Sequence, residues 1–253
     1  MSRVNPVGRL AAGIRFLTIL PMGKPGENPE ELRKSVPFFP LAGLLIGFLC
    51  SVLLYFPLSL LTGLVPSVLA VAILVGMSGG LHMDGLADTY DGFMSHTGRD
   101  RIMLIMKDSR VGTMGVLAVV FVIMIKVAAF SVLSKDQFLR VLLLTPAVGR
   151  WAMVQQICFM PYVRDKGLGS IFRQKSKVFT SIFSSVLSLG AVFALLGMNG
   201  LFCFAATAVV LLLFSVWCSK MIGGATGDTY GASSEISEAV FLLLAAFLLS
   251  GTG

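Results

Sequence analysis

Charge is scarce in this chain of 253 residues: Asp, Glu, Lys and Arg make up 13% of it, against 56% hydrophobic residues. An ordinary soluble domain carries about a quarter charged residues, so this composition excludes a water-soluble fold of comparable size. Cysteine is also sparse. Cys50, Cys158, Cys203 and Cys218 all fall within apolar runs, and they have neither the paired spacing of a zinc site nor the setting of a secreted disulfide framework. No small-residue cleavage site follows the N-terminal apolar stretch that ends at Leu20, which argues against a cleaved signal peptide. The apolar runs lack the alternation of an outer-membrane barrel strand.

Long apolar runs are abundant instead. Helices need about 20 such residues to cross roughly 30 Å of hydrocarbon, and an open strand there would leave its backbone unpaired at several kcal/mol per group. The expected fold is therefore all-α, a polytopic membrane protein forming one domain over residues 1–253. Seven spans are expected, at Leu41 to Leu61, Leu64 to Met77, Thr113 to Ser134, Phe138 to Met160, Val178 to Gly197, Leu201 to Ser219 and Ile236 to Ser250. Arg9 and Arg15 interrupt the segment Val7 to Leu20, which reads as an N-terminal interfacial amphipathic helix.

The connections alternate between nearly uncharged and strongly charged. Gly23 to Ser35, Ser78 to Gly112, Tyr162 to Lys177 and Lys220 to Glu235 then share the side of the N-terminus. That side holds sixteen of the twenty Lys and Arg residues, all but Lys126, Lys135, Arg140 and Arg150, and twelve of the thirteen acids, all but Asp136. The positive-inside rule makes it cytoplasmic, in an inner membrane, with the C-terminus on the far side.

The sharpest motif is GGLHMDGLADTYDG, Gly79 to Gly92. On a helix, at about 100° per residue, Asp88 and Asp91 lie about 40° and about −20° from Asp84, so one face carries all three carboxylates. Like charges so placed repel one another, and a hard divalent cation such as Mg²⁺, which takes one or two carboxylates together with substrate phosphates, would relieve them. The plainer reading is a solvated helix face. His82 points about 160° away from Asp84 and is as well explained by capping or packing. His96 reads as a loop residue.

Two further motifs follow. MKDSRVGTMG, Met106 to Gly115, sets Asp108, Ser109 and Arg110 just before a span, where helix amides and a guanidinium can hold phosphate or can simply cap and anchor. GGATGDTYGA, Gly223 to Ala232, is a glycine-rich turn containing Gly223, Gly224, Thr226 and Asp228, suited to cradling a phosphate or to adding a metal ligand. Arg150 and Lys126 lie inside spans, where a cation needs a polar cavity or a counter-charge. Arg150 is expected to line a substrate cavity, and Lys126 to pair with a carboxylate or face another subunit. Glu235 and Glu238 are explained by the helix dipole, and the basic loop of Arg164, Lys166, Arg173, Lys175 and Lys177 by lipid headgroups. Together the motifs suit phosphoryl transfer.

In their order and spacing, with spans between them, the three motifs resemble the cobalamin synthase family, the adenosylcobinamide-GDP ribazoletransferases, over nearly the whole chain, including the Gly149-Arg150 pair. The resemblance implies a transferase that joins α-ribazole or its 5′-phosphate to adenosylcobinamide-GDP, releases GMP and requires Mg²⁺. It implies that Asp84, Asp88 and Asp91 hold the metal and that Arg110 and Arg150 neutralise phosphate oxygens; Asp228, from the glycine-rich turn, is a further candidate ligand. Partners are the two substrates and the lipid bilayer, with no nucleic acid; a homo-oligomer is left open. The DGLAD string also resembles the CDP-alcohol phosphotransferases in part, but the alanine-arginine pair of their motif falls on Asp88 and Thr89 and their later aspartates are missing. A transporter is the competing class; it would show inverted repeats and mid-bilayer ion sites, and no convincing repeat is present.

Overall fold

The computed structural model describes residues 6–20, 29–164, 168–172 and 177–250. Lys166, Arg173 and Lys175 of the basic loop lie outside these residues. The described chain is helical: α1 Pro6–Leu17, α2 Pro29–Ser35, a 3-10 turn Val36–Phe38, α3 Phe39–Tyr55, α4 Pro57–Leu60, α5 Val65–Met77, α6 Leu81–Phe93, α7 Arg99–Ile105, α8 Thr113–Ser131, α9 Lys135–Phe159, a 3-10 turn Leu168–Phe172, α10 Lys177–Ile222 and α11 Gly227–Leu249. Among the described residues extended pairing is confined to one parallel bridge, Tyr162 with Ala225.

α9 is the axis of the molecule. A capping box starts it, with Ser134 and Gln137 satisfying each other's backbone amides, and α3, α10 and α11 pack around it. Because it is enclosed on most sides, α9 can carry Arg150 and Gln156 among its apolar residues without exposing them to lipid.

α10 has 46 residues and would reach about 69 Å if straight, at about 1.5 Å per residue, more than twice the hydrocarbon thickness. It folds at Gly197, whose φ of 58° and ψ of −141° break the helix; a positive φ of this kind favours glycine. A Cβ added at Gly200 would lie 2.9 Å from the carbonyl of Val192, an approach closed to residues eight apart on a straight helix. Trp151 of α9 touches both arms: its indole N–H donates to Ser185 Oγ (2.9 Å), and its ring lies 4.3 Å from that of Phe204. The two spans expected at Val178 to Gly197 and Leu201 to Ser219 are the arms of this hairpin.

The expected count of seven spans is not confirmed. Among the described residues four helices, or five if the bent α5–α6 pair is one span, are long and apolar enough to cross a membrane. α5 is only 13 residues, or about 20 Å, and α9 gives up apolarity to its polar core residues. Large apolar side chains nevertheless cover the outside. Phe48, Phe121, Phe193, Phe202 and Phe247 are exposed, Phe247 at 78%, as lipid-facing residues of a membrane protein must be.

The charged connections gather at one end. Arg164, just after α9, donates to the carbonyl of Met106 (3.2 Å), and the backbones of Val163 and Pro161 bond that of Ala225. At the other end Gln137 donates to the carbonyl of Leu249 (3.0 Å), and Lys135 lies 4.7 Å above the Tyr55 ring. Loops assigned to one side from charge alone thus meet in space. The stretch expected as a loop from Gly23 to Ser35 ends instead in α2, whose Arg33 and Lys34 bond Glu30 one turn away.

Candidate active site

α6 turns 89° from α5, so the aspartate-bearing helix runs across the polar end instead of through the bundle. It crosses α11 closely. A Cβ added at Gly85 would meet the carbonyl oxygen of Asp228 at 2.7 Å, so only glycine lets the two helices approach this far. α11 begins at Gly227, nine residues before the span expected from Ile236, and Thr226 and Thr229 cap it reciprocally, at 3.3 and 2.9 Å. Asp228 therefore lies in a helical first turn, and only the stretch from Gly223 to Thr226 remains a turn.

This crossing brings Asp228 to the α6 aspartates. Burial, then the charges of Asp228 and Asp84, push the Asp88 carboxyl up to about 7, against the relief offered by Arg164. Asp228 is itself ion-paired with Arg164 at 2.6 Å. The basic residue expected at lipid headgroups is thus part of the site. Asp91 stands apart: its two oxygens accept the amides of Gly112 (2.6 Å) and Gly115 (2.7 Å), which secures the N-terminus of α8. Arg110 is not brought to the aspartates. Its exposed guanidinium pairs with Asp108 at 2.7 Å, and Ser109 beside it is exposed.

Two hollows open from α6. One, of about 220 Å³, is lined by His82, Asp84, Tyr162, Arg164, Asp228 and Tyr230, with Phe16 and Phe172 also on its wall. The other is a wide apolar groove of about 610 Å³ against α8, lined by Met83, Asp84, Ala87, Val111, Val116 and Val120. His82 and Gly85 face the first hollow, Met83 and Ala87 the second, and Asp84 stands in both linings. A larger apolar cleft, about 620 Å³, runs between Trp151 and the second arm of α10 toward Lys220, away from the aspartates.

Below the site lies a buried ion cluster. Lys126 Nζ donates to Glu235 Oε2 and Glu238 Oε2, both at 2.6 Å, and Arg150 pairs with the other oxygen of Glu238. Two cations and two carboxylates compensate one another in a setting where an unpaired charge would be prohibitive. Arg150 is therefore engaged with Glu238, not exposed to the aspartate hollow as expected, and the two glutamates act as counter-ions, not as dipole partners alone. The signal was present in the sequence, since Glu235 and Glu238 are spaced for one helix face and two intramembrane cations require partners. His82, fully buried, has neither ring nitrogen hydrogen-bonded. Burial and the nearby charges of Arg150 and Lys126 hold its pKa well below the usual value, so the imidazole is neutral.

Among the described residues no three His, Cys, Asp or Glu side chains are gathered at metal-holding spacing. The mutual crowding of Asp84, Asp88 and Asp228 nonetheless suits Mg²⁺, which usually takes only one or two carboxylates and completes its shell with water and phosphate oxygens.

The family model for cobalamin-5-phosphate synthase matches residues 9–246. The chain is 38% identical over 239 residues to an adenosylcobinamide-GDP ribazoletransferase of Roseiflexus, covering 94% of this chain and 89% of that protein. It is 38% identical to one of Desulforamulus reducens (93% and 95% covered) and 37% identical to one of Escherichia coli (92% and 96%). No solved structure matches. Its motifs, its helical membrane architecture and these likenesses agree: the chain belongs to the cobalamin-5-phosphate synthase family.

Proposed function

We propose that this protein joins α-ribazole, or its 5′-phosphate, to adenosylcobinamide-GDP with release of GMP. The observation that carries the reading is the position of Asp84, which lines both a wide open groove along α8 and a smaller, more enclosed hollow that holds Arg164, Asp228 and aromatic rings. A large amphipathic corrinoid suits the wide groove, and a compact nucleoside suits the smaller hollow. Their reacting groups then meet at Asp84, with Asp88 and Asp228 alongside.

One or two of the carboxylates Asp84, Asp88 and Asp228 would hold Mg²⁺ together with phosphate oxygens, and when bound it supplies positive charge to the diphosphate. Arg164 neutralises the Asp228 side of the site and presents its remaining N–H groups to phosphate. The Gly223-Gly224 turn and the Thr226 cap set the position of Asp228, and Asp91 fixes α8 against α6. The ribose hydroxyl gives its proton to a carboxylate of this group as it attacks the cobinamide-linked phosphorus in line with the departing GMP oxygen. Excess basic residues at this end, Arg99, Arg101, Lys107 and Lys220 among them, support a cytoplasm-facing site in the inner membrane.

The test is turnover by the purified protein in lipid, supplied with adenosylcobinamide-GDP, α-ribazole 5′-phosphate and Mg²⁺. GMP and joined product appearing in equal amounts are the expected result. Absence of both with every base analogue, with ion flux in liposomes instead, would replace this reading with the transporter.

A further inference from the structure

The cleft between α9 and the second arm of α10 takes no part in the aspartate site. It holds about 620 Å³, and its walls run from Trp151 to Met160 on α9 and from Ala208 to Lys220 on α10. Phe159, Leu212 and Val216 are exposed along it, so in a membrane it opens to hydrocarbon. The polar side chains on its walls spend their donors within the protein. The Gln155 amide donates to Ser184 (3.2 Å) and Ser185 (3.4 Å) and accepts from Ser181 (2.6 Å). Ser215 donates to the carbonyl of Leu211 (2.8 Å), and Ser219 to the sulfur of Met160 (3.9 Å). A polar solute entering here would give up its water without replacement, at a cost that an alkyl chain does not meet.

Charge sits at one end only. Lys220 closes the cleft at the polar end of the molecule, exposed and without an ion-pair partner among the described residues. The Arg99 guanidinium lies beside the turn that follows α10, where a Cβ added at Gly223 would be 3.9 Å from its central carbon. From Ala208 to Lys220 the arm rises about 18 Å, at about 1.5 Å per residue, against about 15 Å of hydrocarbon in one leaflet. The cleft therefore reaches from headgroup depth to the bilayer centre. We propose that it binds an acyl chain of an anionic phospholipid from the leaflet at the polar end, with Lys220 and Arg99 holding the headgroup. The apolar walls accept the chain, and two cations without a counter-charge select the headgroup. A zwitterionic lipid carries the same phosphate, but its own ammonium offsets the attraction. This binding is independent of the reaction proposed above.

The chain has two tryptophans. Trp151 lines the cleft, while Trp217 lies on the far face of the arm, its ring 5.7 Å from that of Tyr90 and 4.9 Å from that of Phe93. Trp217→Phe leaves Trp151 as the only indole. The full-length variant is placed in phosphatidylcholine vesicles, and lipid with brominated acyl chains, a contact quencher, is added with either a phosphatidylglycerol or a phosphatidylcholine headgroup. The phosphatidylglycerol is expected to quench Trp151 at about one-fifth of the mole fraction that phosphatidylcholine needs, the worth of one basic side chain at an anionic headgroup. Lys220→Gln with Arg99→Gln is expected to erase this preference. Arg101→Gln with Lys107→Gln, equal in charge at residues that touch neither the cleft nor the Gly223 turn, is expected to keep it. Native mass spectrometry of the wild type, which needs no substitution, is expected to show phosphatidylglycerol retained over phosphatidylcholine. Equal quenching by the two headgroups, equal retention by the wild type, or equal loss of preference in both double variants would overturn the proposal. So would a Trp151 that neither lipid quenches, which would place a second copy of the chain over the cleft.

Discussion

Arg164 and Asp228, 64 positions apart, form an ion pair at 2.6 Å that ties the chain leaving α9 to the first turn of α11, and the same guanidinium donates to the carbonyl of Met106. One side chain thereby fixes three segments around the α6 aspartates. Arg164→Ala is expected to lower kcat/KM about 100-fold, as loss of a phosphate-facing cation in a sheltered site does. Arg164→Lys, which keeps the charge and loses the planar fork, is expected to recover only part of it. Steady-state GMP release by the folded variants checks both.

The buried cluster of Lys126, Arg150, Glu235 and Glu238 is a stability element. Glu238→Ala leaves two cations short of a partner and is expected to cost about 3–5 kcal/mol, read as a lowered unfolding midpoint in detergent. Lys126→Met combined with Glu235→Gln removes one charge of each sign and is expected to be milder than Lys126→Met alone. A double variant no better than the single would show that the charges are not coupled.

Asp88, raised from 3.8 to about 7, takes up a proton on folding in the metal-free protein. The sign follows: protonated Asp88 favours the folded state below about pH 4, and this contribution is lost as pH rises through about 7. At the proposed site Mg²⁺ would displace that proton, so its apparent affinity is expected to weaken roughly tenfold per unit as pH falls below about 7. Asp88→Asn is expected to flatten that dependence in a metal titration between pH 5.5 and 8.5.

Gly85→Ala places a methyl group against the Asp228 carbonyl and pushes α6 from α11. Overpacking of this kind costs about 1–3 kcal/mol, while a displacement of about 1 Å in the carboxylates can cost about 100-fold in rate. The variant is expected to stay folded and lose most of its activity. Full activity would mean that the crossing does not set the site.

The aspartates of α6 were legible because polar residues in so apolar a chain need a reason, and their helical spacing was read correctly. So was the gathering of the charged loops. The partner of Arg150 was not, because Glu238 lies 88 positions away and its own surroundings offered a sufficient local explanation. The hollow was not legible either: Phe16, His82, Tyr162 and Tyr230 come from four separate segments, and no local period links them. The break of α10 at Gly197 and the shortness of α5 were legible, as the expected spans Val178 to Gly197, Leu201 to Ser219 and Leu64 to Met77 show, while the count of seven is not confirmed because α5 has only 13 residues and α9 carries polar residues along its length.

The most direct test of the proposed site is the rate of joined-product formation by Asp84→Asn and Asp228→Asn, at saturating substrates and Mg²⁺, in preparations shown to be folded. Each change is nearly isosteric and removes one negative charge from a different helix. Both are expected to lose about 1,000-fold or more, in line with removal of charge that orients a reacting phosphate. Activity within about tenfold of wild type in either variant would contradict a site shared between α6 and α11.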